Sequence, residues 1–263
     1  MSVNNKIPNQ FKKRKDLLFD PKTETIINKN PYYCFLLRPN GYIPRSGIIL
    51  RDYLIRNIKH KINRALEIGV GELSFIPISL VKQGLIKRVD ALEIDPIAIK
   101  WSNKNISYNK LVGKIKIFSN WLKITGEYDL IYSNPPQMPV PTNKSLHDDG
   151  GTDGYQIINR ILNLAKRKLK KNGKLILLLF DFLNVETAYN KEQTLIEKMN
   201  KIGFSVKIKK RVPIKIRPGG RTEKNIEWIK KQYPLFNFKR NNSMGHSILI
   251  VEAKYLGIKN SRT

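Results

Sequence analysis

Short apolar runs alternate with amphipathic stretches from about residue 65 to the end of the chain, and this alternation most restricts the fold. Apolar runs bounded by turn signals are typical of buried strands, and the amphipathic stretches between them are typical of helices that cover a sheet. The pattern therefore predicts an α/β fold with a mostly parallel sheet. The predicted strands are RALEI (64–68), RVDALEI (88–94), KIKIF (114–118), DLIYS (129–133), KLILLLF (174–180), FSVKIKKRV (204–212) and HSILIVEAKY (246–255).

The predicted helices have recognisable ends. Asp95 can cap a helix that carries Pro96 at its first position. The clearest helix runs from Tyr155 to about Lys171, because its apolar residues share one face and Asn172-Gly173 supplies a stop signal. Two further helices are predicted at 73–83 and 191–202.

Two segments fall outside this alternation. Residues 1–60 form an N-terminal extension that is a candidate substrate-recognition region. Residues 213–245 form an insertion that contains RPGGR and a short predicted helix, TEKNIEWIKKQY. Residues 61–263, including the insertion, are predicted to form the main domain.

The chain is strongly basic, with 49 Lys and Arg against 21 Asp and Glu and a formal net charge of +28. Such a surface attracts polyanions, RNA above all, through the release of bound counterions. The sequence is also rich in Asn and Ile beside Lys, which indicates a composition bias with solvated lysines on every face. Both interpretations stay open, and neither specifies a reaction.

Several classes of protein are disfavoured by the same composition. Cys34 is the only cysteine, which excludes an intrachain disulfide and a thiolate-based metal cluster. The three histidines match no metal-ligand motif, so no metal is predicted. The apolar runs are too short for a membrane span, and no apolar segment follows the basic N-terminus. We therefore expect a cytoplasmic protein that does not enter membranes.

A pair of glycines follows the first predicted strand of the main domain, in LEIGVGELS. Gly69 and Gly71 allow a sharp turn and a close approach of the backbone to a ligand, and Ser74 stands where a third glycine would complete G-x-G-x-x-G. Glu67 lies two residues before the turn. Glu93 ends the second strand, where a carboxylate can accept hydrogen bonds from both ribose hydroxyls. A nucleoside-containing cofactor is favoured, and a nicotinamide cofactor or S-adenosyl-L-methionine remains open.

The stretch DLIYSNPPQ distinguishes between these two cofactors. Pro135 keeps Asn134 out of helical geometry, and Pro135 and Pro136 stiffen a loop at the carboxyl end of a strand. The side-chain carbonyl of Asn134 and a following backbone carbonyl can accept both hydrogens of a planar NH₂ group. Two such acceptors can aim the nitrogen lone pair at a methyl sulfonium, whereas hydride transfer has no use for them.

LEIGVGELS, ALEIDPIAIKWSNKN and YDLIYSNPPQ together resemble class I S-adenosylmethionine-dependent methyltransferases of the N-P-P-[YFWQ] type. YIPRSGIIL (42–50) and GGTDGYQIINRIL (150–162) resemble segments of release-factor glutamine N5-methyltransferases, the HemK type. The resemblance covers about residues 40–185. It implies a Rossmann-like sheet that is mostly parallel, with an antiparallel last strand and an N-terminal extension.

The same resemblance implies roles for individual residues. Glu67, Gly69 and Gly71 line the methionine end of the cofactor, and Glu93 holds its ribose. Asn120 and Trp121 lie near the adenine. Asn134, Pro135 and Pro136 are the catalytic motif, and the substrate-binding candidates are Arg45 and Gln137. Gln137 stands where the family usually has an aromatic residue that packs on the target group.

Three functions are compatible with these residues. The first is N-methylation of a planar amide or amine in a macromolecule, with a protein glutamine of a translation factor as first choice. The second is methylation of an exocyclic amine of an RNA base, in which the net charge and KIKKRVPIKIRPGGR (207–221) hold phosphates. The third is a binding protein that keeps the cofactor fold without activity, against which the intact Asn134-Pro135-Pro136 argues.

Overall fold

The structure is a computed structural model. It describes residues 11, 14–39, 41, 45–142, 145–190, 192–240 and 243–257. The chain divides into two compact units, residues 1–124 and 125–263. No helix in the described ranges is long and apolar enough to cross a membrane.

The first unit begins with a three-stranded antiparallel sheet in the N-terminal extension. Its strands β1 (Leu17–Asp20), β2 (Thr25–Asn28) and β3 (Tyr33–Leu36) pair in chain order, and helix α1 (Arg45–Asn57) follows. The strands bury residues such as Leu17, Ile26 and Phe35. Phe35 also packs on Phe75, with 4.8 Å between the ring centroids, so the extension shares the core of the first unit. Its predicted role in substrate recognition stays a prediction.

Three parallel strands form the remainder of the first unit. Strands β4 (Ile62–Ile68), β5 (Ile86–Leu92) and β6 (Ile115–Phe118) pair in this order, joined by helices α2 (Phe75–Lys82) and α3 (Pro96–Tyr108). Asp95 caps α3 by accepting a hydrogen bond from the Ile97 N–H at 2.8 Å, as predicted. A short 3-10 helix, Trp121–Lys123, follows β6.

Asn105 of α3 and Asn109, which caps the end of α3, attach the N-terminal sheet to this α/β layer. Asn105 accepts a hydrogen bond from the Leu36 N–H and donates to the Leu36 carbonyl, and Asn109 makes the same pair of bonds with Cys34. The two amides thus extend the hydrogen bonding of β3 to a helix. Burial raises the pKa of the Cys34 thiol, which stays protonated there.

Arg51 of α1 joins the N-terminal sheet to α2. Its side chain is 2% exposed, and its planar guanidinium offers five N–H donors in fixed directions. The hydrogen bonds reach five side chains: Asp16, Asp52, Asn28, Tyr33 and Ser79. Partial burial raises the pKa of Asp16, but hydrogen bonds from Arg14 and Arg51 outweigh it and leave that pKa below its ordinary value.

The second unit contains the remaining sheet strands. Strand β7 (Tyr128–Ser133) is parallel to β8 (Leu169–Phe180), and the last strand, β11 (Ser243–Tyr255), is antiparallel to β8. Strands β9 (Phe204–Lys215) and β10 (Lys239–Arg240) pair with β11, both antiparallel. The predicted α/β class, mostly parallel with an antiparallel last strand, is confirmed.

The helices of this unit are α4 (Gln156–Lys168), α5 (Leu195–Lys201), α6 (Arg221–Lys224) and α7 (Ile226–Gln232).

The predicted end of the helix at 155–171 is wrong. Helix α4 ends at Lys168, because Leu169 pairs with Tyr128 of β7 and is drawn into the sheet. Asn172 takes a left-handed φ of 67°, so Asn172-Gly173 turns the chain within the span of β8 and not at the helix end.

The insertion at 213–245 packs back onto the end of β8 through aromatic side chains. Phe182 lies 5.9 to 6.3 Å, between ring centroids, from three rings of the insertion: Tyr233, Phe236 and Phe238. Its predicted single helix is divided at Asn225 into α6 and α7. Burial raises the pKa of Tyr233, so its phenol is a neutral donor.

Replacing Arg51 with methionine is expected to lower the free energy of unfolding by about 3 kcal/mol, because it leaves buried and half-buried partners without their cation. Chemical denaturation monitored by circular dichroism measures the change. Arg56→Met, at an exposed position of the same helix, is the matched control and should change little. Equal stabilities of the two variants would contradict the role given to Arg51.

Candidate functional site

The loop after β4 has the left-handed geometry expected of a ligand-binding turn. Gly69 and Gly71 have φ values of 76° and 66°, which glycine adopts without strain. An added Cβ at either position would meet no atom within 4 Å, so the space beside the turn is open. Ser74, at the third position of the motif, also takes a positive φ, 47°, and its hydroxyl contacts that of Ser102.

Glu93 connects this turn to the end of β5. Its carboxylate accepts hydrogen bonds from the N–H groups of Gly71 at 2.8 Å, Ile94 at 2.8 Å and Asp95 at 3.1 Å. A carboxylate has about four acceptor positions, so about one remains for a hydroxyl group. Glu93 is 6% exposed and Glu67 is 3% exposed. The turn and both carboxylates thus lie at the carboxyl ends of β4 and β5.

An ion pair that the sequence did not predict lies beside the same turn. Arg38 binds Glu72 at 2.8 Å, and an added Cβ at Gly41 would lie 2.7 Å from the Arg38 carbonyl oxygen and 2.8 Å from Glu72 Oε1. The chain just before the IPRSG segment is therefore packed on the glycine loop. Of the YIPRSGIIL segment, residues 42–44 lie outside the described residues, and Arg45 is exposed at the start of α1.

Asn120 and Trp121 lie after β6, in the first unit. Asn120 is exposed, and its side-chain carbonyl accepts a hydrogen bond from the Leu122 N–H at 2.9 Å, which caps the short 3-10 helix. Trp121 is half-buried. The structure thus brings these two residues to the carboxyl end of the third parallel strand of that unit.

The acceptor loop, residues 134–137, directly follows β7 in the second unit. Asn134 and Pro136 are half-buried, and Pro135 is buried. In open α/β sheets, ligands bind beyond the carboxyl ends of the strands, and this loop lies at such an end. Asn134 thus has the strand-end position that the sequence predicted.

The side chain of Gln137 is turned into the protein. It is 3% exposed, donates from Nε2 to the carbonyls of Leu178 at 2.8 Å and Pro135 at 3.3 Å, and accepts at Oε1 from the Phe180 N–H at 2.8 Å. The amide thus links the acceptor loop to the end of β8. Sequence reasoning treated Gln137 as a substrate contact and missed these bonds, because an NPPQ motif does not reveal which way the side chain points.

Two glycines of the segment GGTDG close around the acceptor loop. An added Cβ at Gly150 would lie 2.6 Å from the Gln137 Cα, and one at Gly154 would lie 2.6 Å from the Gln137 carbonyl oxygen. Any side chain at these positions would displace the loop. The backbone N–H groups of Gln137 and Met138 donate to the Asp148 carbonyl at 3.0 and 2.8 Å, so the contact is also hydrogen bonded.

The insertion contacts the GGTDG segment and the two aspartates just before it. Arg221 forms ion pairs with Asp148 and Asp149, and the indole N–H of Trp228 donates to the Thr152 carbonyl at 2.9 Å. The Tyr233 hydroxyl donates to the Asp153 carbonyl. The insertion therefore supports the segment that in turn supports the acceptor loop.

Taken together, the strand pattern, the glycine turn with its acidic strand ends and the proline-braced loop define a class I methyltransferase of the Rossmann-like type. Residues 51–207 match the family model described as "Methyltransferase small domain". The chain belongs to this family, and it is a methyltransferase.

Curated relatives agree with this assignment. A protein described as an N5-glutamine methyltransferase from Methanocaldococcus jannaschii is 30% identical, over 68% of this chain and 88% of its own length. A release factor glutamine methyltransferase from Geobacter sulfurreducens is 26% identical over 65% of this chain and 61% of its own length. A ribosomal RNA small subunit methyltransferase C from Buchnera aphidicola is 29% identical over 59% of this chain and only 40% of the relative. The predicted resemblance to the HemK type is confirmed.

Solved structures show the same fold. A transferase from Pyrococcus horikoshii superposes with a TM-score of 0.52 at 13% identity, over 92% of this chain and 73% of that chain. At this level of identity the likeness concerns the fold alone, and that fold is the one the strand pattern predicts.

Proposed function

We propose that the protein transfers a methyl group from S-adenosyl-L-methionine to the side-chain amide nitrogen of a protein glutamine, in a translation factor as first choice. The observation that carries the proposal is the acceptor loop. Asn134 stands at the end of β7, and the carbonyl of Pro135 beside it is held by a buried side chain. These are two oxygen acceptors on a rigid support, which is what a planar NH₂ group requires.

The residues of the first unit fit the proposed cofactor. Gly69 and Gly71 leave open space beside a left-handed turn, and Glu93 is a buried carboxylate with about one acceptor position left for a ribose hydroxyl. In the proposal, Glu67 and the turn bind the methionine end, and Asn120 and Trp121 bind the adenine. When bound, the cofactor supplies an electrophilic methyl group on a sulfonium.

The proposed chemistry depends on how Asn134 and Pro135 hold the acceptor. An amide nitrogen is a poor nucleophile, because its lone pair is delocalised into the carbonyl. Two fixed oxygen acceptors that bind both N–H groups favour a pyramidal nitrogen with a localised lone pair. They also hold that lone pair in one direction, which lowers the entropic cost of reaction. Formation of the N–C bond would break the S–C bond of the cofactor, whose electron pair stays on sulfur in neutral S-adenosylhomocysteine. The proton that the nitrogen loses would pass from the hydrogen-bonded NH₂ group to solvent water.

The inward position of Gln137 favours a small amide over a nucleic acid base. Proteins that modify a base commonly stack it between aromatic or apolar side chains, and each stacked base gains about 1–3 kcal/mol. At position 137 the side chain is 3% exposed and bonded to main chain, so it offers no such stacking surface. A glutamine side chain has no aromatic ring to stack, so the absence of this surface weakens the RNA alternative more than the glutamine one. Relatives described as glutamine methyltransferases support the same choice.

Methylation of an RNA base is the second candidate, since the net charge is +28 and β9 exposes three lysines close together in sequence, Lys207, Lys209 and Lys210. Such a strand can bind phosphates. The cation excess, however, is spread along the whole sequence, and Glu252 lies 3.9 Å from Lys209. An inactive binding protein is disfavoured, because the Asn134-Pro135-Pro136 sequence is intact and supported by buried groups.

The proposal predicts that radiolabel from methyl-labelled S-adenosyl-L-methionine enters protein when the enzyme is incubated with a lysate. Digestion of separate samples with protease and with nuclease locates the label. We expect a protease-sensitive and nuclease-resistant product. Nuclease-sensitive label would instead identify RNA as the acceptor and refute the glutamine assignment. Failure to label any macromolecule, with cofactor binding intact, would refute methyl transfer altogether.

Within this assay, Asn134→Ala should reduce transfer about 100-fold or more, by analogy with the loss of one fixed transition-state hydrogen-bonding group. Its affinity for S-adenosylhomocysteine, measured by calorimetry, should not change, because the acceptor clamp, formed by the Asn134 side-chain oxygen and the Pro135 carbonyl, binds the acceptor and not the cofactor. Asn163→Ala, at an exposed position of α4, is the matched control. Unaltered transfer by Asn134→Ala would show that Asn134 does not hold the acceptor NH₂ group.

Cofactor binding is tested separately with Glu93→Gln. This change removes the charge from an acceptor of three backbone N–H bonds and of the proposed ribose bond. Hydrogen bonds to charged groups contribute about 1.5–3 kcal/mol, so affinity for S-adenosylhomocysteine should fall roughly 10- to 100-fold. Glu127→Gln changes an exposed carboxylate and serves as the control. Equal affinities for both variants would contradict the role of Glu93.

A further inference from the structure

We infer that Gln137 is the positioning residue of the acceptor clamp: its buried amide fixes the Pro135 carbonyl and holds the acceptor loop on the end of β8. This inference rests on the proposed function, because it assigns to Gln137 an action through Asn134 and Pro135. The residue thus acts from inside the protein, not as a surface on which the substrate packs.

The hydrogen bonds of Gln137 match the three groups around it, and few other side chains could replace it. Two of these groups are carbonyls, of Leu178 and Pro135, and both require a donor. The third is the Phe180 N–H, which requires an acceptor. A carboxamide presents donors and an acceptor in one plane, whereas a carboxylate has acceptors only and a methionine has no N–H or O–H donor. The pattern therefore selects an uncharged amide.

The bond to Pro135 explains how a buried residue can act on the reaction. A carbonyl oxygen has two lone pairs, and the Gln137 Nε2 at 3.3 Å takes one of them. The second lone pair can accept from the NH₂ group of the acceptor. The same Nε2 also donates to the Leu178 carbonyl in β8. Gln137 therefore fixes the direction of the Pro135 carbonyl relative to a strand of the sheet.

The glycines behind the loop complete this support. A Cβ at Gly150 would lie 2.6 Å from the Gln137 Cα, so Gly150 packs directly against the Gln137 backbone while hydrogen bonds hold the Gln137 side chain. The Asp148 carbonyl accepts from two successive N–H groups, those of Gln137 and Met138. Gly150→Ala is therefore a second way to move the same residue without removing its amide.

The test compares Gln137→Met, which keeps the size and loses the hydrogen bonds, with Gln193→Met, the same change at a half-buried position of the second unit. We expect kcat per folded molecule to fall about 100-fold in Gln137→Met, because a small misplacement of a positioning group has effects of that size. Affinity for S-adenosylhomocysteine should stay that of the wild type. Gln193→Met should leave both quantities unchanged. A kcat in Gln137→Met equal to that of the control would overturn the inference.

A pH profile distinguishes positioning from simple packing. Gln137→Glu has the right shape, and a protonated carboxyl restores one donor while its carbonyl accepts from Phe180. Burial beside carbonyl oxygens favours that protonated form. The ratio of its kcat to that of the wild type should therefore rise as pH falls. A ratio that does not vary with pH would argue against hydrogen bonding by position 137.

Amide hydrogen exchange tests the support without any need for activity. Gln137→Met and Gly150→Ala should both speed exchange at the amides of Gln137, Met138 and Phe180, whereas Gln193→Met should not. Slow exchange at these amides in a wild-type protein that transfers no methyl group would refute the proposed function. The support of the acceptor loop by Gln137 would still hold. Unchanged exchange in both loop variants would refute the support even if the wild type is active.

Discussion

The hydrogen bonds of one buried amide hold the loop on which the proposed chemistry depends. Two prolines stiffen the backbone after β7, but stiffness alone does not set a direction. Gln137 supplies the direction, because its amide bonds to Pro135 on one side and to Leu178 and Phe180 of β8 on the other. The GGTDG segment packs against its backbone, Trp228 of the insertion donates to that segment, and Arg221 pairs with Asp149 just before it. The insertion thus stabilises the GGTDG segment, and the GGTDG segment stabilises the acceptor loop.

The first unit is organised by an analogous principle. The Gly71 N–H of the glycine turn donates to the carboxylate of Glu93, which lies at the end of the neighbouring strand. Arg38 and Glu72 attach the N-terminal extension to the same turn. Both functional loops are therefore fixed by side chains that bond to main chain, and in both cases the residue that fixes the loop lies within a few residues of a strand end.

Much of this arrangement could be predicted from the sequence, because its signals are local. Strand positions followed from apolar runs, the start of α3 from Asp95-Pro96, and the turn after β4 from Gly69 and Gly71. What the sequence did not reveal depends on partners distant in the chain. Helix α4 ended early because Leu169 pairs with Tyr128, and the N-terminal sheet is held by Arg51, whose partners span residues 16 to 79.

The direction of Gln137 is the most instructive of these cases. As a sequence, NPPQ differs from the aromatic form of the motif by one residue and suggests an altered substrate contact. In the structure the amide is turned away from solvent and bonded to β8, so the difference changes how the loop is held. A motif lists residue types, but the identity of their hydrogen-bond partners is a property of the fold.

The fate of the label under acid hydrolysis shows whether the methyl group is on a glutamine amide nitrogen. Acid cleaves an N-methylated side-chain amide to glutamate and methylamine. Protein labelled by this enzyme from methyl-labelled S-adenosyl-L-methionine should therefore release its label as methylamine, which distils from the hydrolysate once it is made alkaline. Label retained in an involatile amino acid or in a nucleoside would show that glutamine is not the methyl acceptor.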